Sequence, residues 1–180
     1  RAGLYRLGPA DPVQLMQASV PALLFIGFVI IQRLAELWLA RRNTQRLLAR
    51  GAREVGAEHY PLIVAMHTAW IIALVVFGWT APVSLPWLAA YVVLQGFRVW
   101  ILSSLGERWT TRIIILDEPL VQRGPYRFIS HPNYVLVVAE IIVVPMVLGL
   151  VWVAAIFTIL NAAVLALRIS REGAALAPLR

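Results

Sequence analysis

Residues 133–167 read NYVLVVAEIIVVPMVLGLVWVAAIFTILNAAVLAL, with one charge, Glu140, in the whole stretch. Pro145 and Gly149 punctuate it near the middle, which marks a tight turn. The stretch is therefore expected to fold as two short spans, 133–148 and 150–167, joined as a helical hairpin. Its flanks are polar. GPYRFISHPNY (124–134) leads into it, and RISRE (168–172) closes it.

The rest of the chain has the same texture. The 180 residues are 61% hydrophobic and 14% charged, with a mean hydropathy of +0.78. Soluble domains lie near half apolar and a quarter charged. This composition predicts an all-α integral membrane protein with spans of about 20 residues each. Three further spans are expected at 20–40, 61–79 and 87–105, giving about five in total. Residues 1–19 form a mixed lead-in that begins on Arg1. A processed, truncated or partly foreign start is left open there. Residues 20–180 form a single membrane domain, of which 106–180 is the half that carries the motifs.

All 16 basic residues are Arg, and the formal net charge is +7. They do not point to nucleic acid, because they cluster in loops 41–60 and 106–132 and in the tail 168–180. The turns 80–86 and 146–150 carry none. That asymmetry follows the positive-inside rule and predicts an N-terminus outside and a C-terminus inside. The Arg-rich loops, and any site they form, then face the cytoplasm. Loop 41–60 is expected to hold a short amphipathic helix on the headgroups. The absence of cysteine excludes disulfides and thiol nucleophiles. Three His at 59, 67 and 131 show no ligand spacing, so no metal is expected.

GPYRFISHPNY has the chemistry of a binding loop. Pro132 keeps His131 extended and suits the first helical position. The helix start beyond it presents free N–H donors and a positive dipole end to a carboxylate or phosphate. Tyr126 and Tyr134 add flat faces and hydroxyls. In RISRE, Arg168 and Glu172 are four residues apart and share a helical face. Glu140, two turns beyond Asn133, is expected to line the same pocket. Arg98, near the end of its span, is expected to snorkel toward the interface. Arg33 and Glu36, three apart, can pair. His67 is expected to hydrogen-bond to a neighbouring helix.

Taken in order, GPYRFISHPNY, the short apolar hairpin and RI-x-x-E resemble the isoprenylcysteine carboxyl methyltransferase family, most of all its small bacterial branch. RLAELWLARRNTQRLLARGAREVGAEHYP (33–61) and QGFRVWILSSLGERWTTRIIIL (95–116) resemble it too. The resemblance implies S-adenosylmethionine as cofactor, held at the cytoplasmic surface by His131, Pro132, Tyr134 and Glu172, with Tyr126 nearby. It places Arg168 at the reacting centre; Glu140, by its position in the span, is a second candidate catalytic residue. It implies O-methylation of a lipophilic acceptor drawn from the bilayer, such as a prenylated cysteine, an alkylpyrone or an alkylresorcinol. The expected location is the bacterial inner membrane. Ser130 and Gly173 depart from an Arg and a second Glu common in the family. Two other readings stay open: an NADPH-dependent sterol-type reductase, which shares the His-Pro-Asn-Tyr motif, and a non-enzymatic membrane subunit.

Overall fold

The computed structural model describes residues 18–119 and 121–176, with side chains through Ser170 apart from His59. Helix α1 runs Val20–Ala49. Ser19 Oγ accepts a hydrogen bond from the Ala22 amide at 3.4 Å and caps its start. Helices α2 (Tyr60–Gly78), α3 (Leu85–Leu105), α4 (Pro132–Val147) and α5 (Val151–Leu176) follow. Their bounds agree with the expected spans to within two residues, except at the ends of α1 and α5, because Pro and Gly punctuate the apolar runs.

Among the described residues, four helices are long and apolar enough to cross a membrane: Val20–Ala49, Tyr60–Gly78, Leu85–Arg108 and Val151–Ser170. The fifth, α4, has only 16 residues. At 1.5 Å per residue it is about 24 Å long, against a hydrocarbon core of about 30 Å. The hairpin is therefore one short helix against one long one. Gly149, at φ +67°, makes the turn between them.

One expectation is corrected. Loop 41–60 contains no separate amphipathic helix. The Arg-rich segment continues α1 for another two turns, since no breaker intervenes before Gly51. The fold is mostly helical, as expected, with one short ribbon added. Strand β1 (Arg53–Val55) pairs antiparallel with β2 (Ile113–Ile115), and Glu54 stands opposite Ile114. Arg112 clamps this ribbon through Glu54 at 2.8 and 2.9 Å and lies over the Tyr60 ring. The ribbon brings the two Arg-rich loops to one end of the bundle. The other end is closed by backbone bonds from Ser19 to Trp79 and from Ser84 to Val147.

Outward faces carry apolar residues such as Leu24, Val93 and Ile159, as lipid contact requires. Inside, Trp70, Leu74, Ile141 and Val144 form the main apolar core, and Tyr91 meets Phe25 edge to face at 5.3 Å. A second cluster joins Ala40, Ile101, Trp109 and Leu136 nearer the polar end.

A charged knot lies among the helices. Glu140 accepts from Arg33 at 2.6 Å, from Gln95 at 3.1 Å and from Arg98. Arg98 also pairs with Glu36 at 2.5 Å, and Arg33 with Glu36 at 3.2 Å. Gln32 bridges Glu36 and Gln95 and accepts from Tyr91. Two cations meet two anions, so the knot is neutral and ties α1, α3 and α4 together. The Arg33–Glu36 pair is as expected. Arg98 does not snorkel: it is buried and doubly paired, because an intramembrane charge is tolerated only with partners.

Candidate functional site

At the polar end, α4 begins late and leaves space beneath the ends of its longer neighbours. A cavity of about 390 Å³ fills it. One wall is the α4 start with its lead-in: Tyr126, Ser130, His131, Asn133 and Tyr134. The extension of α1 contributes Leu47, and the loop after α3 contributes Arg108, Trp109 and Glu118. The lead-in is held by Gly124, whose φ of +59° starts the turn, and by Arg123, whose Nε donates to the Ser104 carbonyl at 2.7 Å. At the rim Arg108 donates to Glu118 and to the Pro119 carbonyl. That bond, helped by the charge of Arg50, holds the Glu118 carboxyl below its ordinary range.

His131 and Tyr134 stack at 5.1 Å between centroids, with ring planes 15° apart. Arg168, on α5, donates from Nε to the Tyr134 hydroxyl at 2.9 Å and lies over the same ring. No side chain caps the start of α4. Pro132 has no N–H, and the Tyr134 and Val135 N–H groups donate to the His131 carbonyl at 3.1 and 3.3 Å, so Asn133 is the first-turn donor left at the cavity wall.

A second cavity, of about 300 Å³, opens within the apolar part of the bundle. Its walls come from α1, α2, α4 and α5, with Leu34, Val64, Ile71, Val137 and Leu165 among them. Trp109, Asn133, Tyr134 and Arg168 line both cavities. They form a common wall between a polar space at the surface and an apolar space in the spans. The Trp109 indole N–H points at Asn133 Oδ1, 3.4 Å away.

The expected residues fare unequally. Tyr126, His131, Tyr134 and Arg168 come together at the first cavity. Pro132 is buried and starts α4 but does not line that cavity. The Glu172 side chain lies outside the described residues. Glu140 is corrected: it lines neither cavity, because Arg33 and Arg98 hold its carboxylate inside the bundle. His67 bonds to the Ile63 carbonyl of its own helix and not to a neighbouring one. Trp109 and Asn133 were missed as wall residues. Asn133 sits inside the motif itself and could have been included, whereas the position of Trp109 depends on the ribbon. Among the described residues, no group of His, Asp or Glu is placed to hold a metal ion.

The model of the isoprenylcysteine carboxyl methyltransferase family matches residues 87–178, just over half of the chain. An uncharacterised Bacillus subtilis protein, YpbQ, is 38% identical over 159 residues, covering 85% of this chain and 95% of its own. An uncharacterised Haemophilus influenzae protein is 25% identical over 161 residues, covering 84% of this chain and 92% of its own. No solved structure matches.

Proposed function

The chain belongs to the isoprenylcysteine carboxyl methyltransferase family, and on that premise we propose that it moves a methyl group from S-adenosylmethionine in the polar cavity to an oxygen of a lipophilic acceptor in the apolar one. One observation carries this reading: the two cavities share the wall of Trp109, Asn133, Tyr134 and Arg168. A water-soluble donor and a bilayer-soluble acceptor can then meet without either leaving its own solvent.

The residues present fit the donor. The stacked rings of His131 and Tyr134 offer π faces to a flat base or a sulfonium cation. The uncapped start of α4 suits a carboxylate. The volume is within the range of about 300–1,000 Å³ typical of small-ligand sites. S-adenosylmethionine supplies, when bound, an electrophilic methyl on a positively charged sulfur.

This chain's own part is positioning. Arg168 keeps Nε on Tyr134, and its other N–H donors can hold an acceptor oxyanion by charge-assisted hydrogen bonds. An acceptor carboxylate or acidic enol arrives ionised and needs no base. A phenol needs one, and His131, which lines the polar cavity and stacks on Tyr134 of the shared wall, is the base we assign to it. Holding acceptor and methyl at about 3 Å in line supplies several kcal/mol without further chemistry. The apolar walls of the second cavity exclude water from the acceptor. We place the Arg-rich end in the cytoplasm of a bacterial inner membrane, where the donor is made.

The test is binding by purified protein in detergent. S-adenosylmethionine should raise the melting temperature, and His131→Ala should weaken its affinity by about tenfold, as the loss of one stacking or hydrogen-bonding side chain does. Tight NADPH binding without any response to S-adenosylmethionine would reject the methyltransferase cofactor.

A further inference from the structure

The apolar cavity carries polar groups that transfer at its mouth does not use. Asn161, on α5, is 4% exposed and lines this cavity. Its carboxamide has no hydrogen-bond partner among the described residues. The carboxamide is also not sealed in protein, since among unpaired side-chain atoms of the described residues only the Trp70 indole nitrogen is fully enclosed. The amide therefore opens onto the cavity.

His67, on α2, lines the same cavity. Its Nδ1 lies 2.9 Å from the Ile63 carbonyl. A carbonyl oxygen can only accept, so Nδ1 carries the proton and Nε2 of the neutral ring offers a lone pair. No described group bonds Nε2.

The two residues lie at one depth. Tyr60 and Arg168 both line the cavity at its polar end. His67 is seven residues along α2 from Tyr60, and Asn161 is seven residues before Arg168 on α5. Each is therefore about 10 Å further into the bundle. The wall around them mixes apolar Ile30, Ile71 and Val164 with Thr68 and with Arg33, whose guanidinium lies over Trp70 and is already paired to Glu36 and Glu140. A polar side chain left unpaired in such a wall is costly.

We propose that Asn161 and His67 form a subsite for a hydroxyl of the acceptor, deeper than the oxygen that is methylated. The hydroxyl donates to His67 Nε2 and accepts from the Asn161 amide, a match that uses both groups. The acceptor is then a lipid with at least two oxygen functions. A carboxylate on a plain hydrocarbon tail leaves both groups unpaired. This inference rests on assigning the apolar cavity to the acceptor.

The experiment uses the full chain in detergent without cofactor. The probes are 3-pentadecylphenol, a congener with a second ring hydroxyl, and a congener with a hydroxyl on the chain near the ring. Binding is read from tryptophan fluorescence, as Trp70 and Trp109 line the cavity. At least one dihydroxy probe should bind about tenfold more tightly than the phenol, the usual cost of leaving buried partners unmatched. Asn161→Leu and His67→Phe should each abolish that gain while phenol binding persists. Equal binding of all three probes by the unaltered protein would overturn the subsite, and so would a gain that survives both substitutions. Water alone would then fill the position. The comparison on unaltered protein decides the matter even if a variant does not fold. A chain that prefers a dihydroxy probe but ignores S-adenosylmethionine would keep the subsite and discard the cofactor assignment.

Discussion

Glu140 is the residue on which the bundle's polar interior turns. Its carboxylate is bonded from α1 by Arg33 and from α3 by Gln95 and Arg98. Removing it leaves the Arg33 and Arg98 guanidiniums sharing the single carboxylate of Glu36, a net positive charge inside the bundle. Breaking a buried pair by deleting one partner costs about 3–5 kcal/mol. Glu140→Ala is therefore expected to unfold at markedly lower temperature in detergent. Glu140→Gln, which keeps one acceptor oxygen but loses the charge, should fall between. Donor affinity of folded Glu140→Gln should stay near that of the parent, because the residue lines neither cavity. A large loss of donor affinity with unchanged melting would return Glu140 to the active site. The sequence could place Glu140 on the Asn133 side of its helix, since seven residues make two turns. It could not show that this face meets Arg98 two turns in, because the partners are 42 and 107 residues away. The Arg33–Glu36 pair was legible because it lies within one turn of one helix.

At the scale of elements, the α4 lead-in is fixed by close packing against α3. Gly124 has φ +59°, and a Cβ there would overlap Ser104 Oγ and stand 2.9 Å from Ser104 Cβ. Gly124→Ala thus combines a left-handed backbone with a clash, and a cost of roughly 2 kcal/mol is expected. The loop it displaces carries Tyr126, Ser130 and His131, so donor affinity should fall together with melting temperature. Ser104→Ala in the same chain relieves the overlap with Oγ and should restore part of both, which calorimetry and a binding titration can read. No restoration would mean that backbone strain alone is responsible. The helices themselves were readable from apolar length and from Pro and Gly. The ribbon was not, because two strands of three residues, with middle residues Glu54 and Ile114 far apart in the chain, carry no periodic signal. The extension of α1 was missed because Arg-rich sequence reads equally well as a headgroup helix. It becomes one continuous rod once Arg46 and Arg50 find Glu107 and Glu118.

For the whole molecule, the ribbon and the Arg-rich loops define one end and the turns 80–86 and 146–150 the other. This polarity is a matter of the fold. Which end faces the cytoplasm is a matter of insertion, and the arginine bias predicts, by the positive-inside rule, that the Arg-rich end does. The two are linked through the site: the donor cavity opens at the Arg-rich end, so an inverted protein would have its donor on the wrong side. The chain has no cysteine, so single cysteines report orientation without background. Ala57→Cys lies at the ribbon end and Pro82→Cys in the uncharged turn, and both parent residues are exposed. In intact bacterial cells with a permeabilised outer envelope, a membrane-impermeant maleimide should label the cysteine at 82 and spare the one at 57. Lysis of the inner membrane should then expose 57. Labelling of 57 before lysis, with 82 protected, would reverse the orientation. The donor cavity would then face a compartment with no supply of S-adenosylmethionine, and the proposed reaction would fail there however well its residues are arranged.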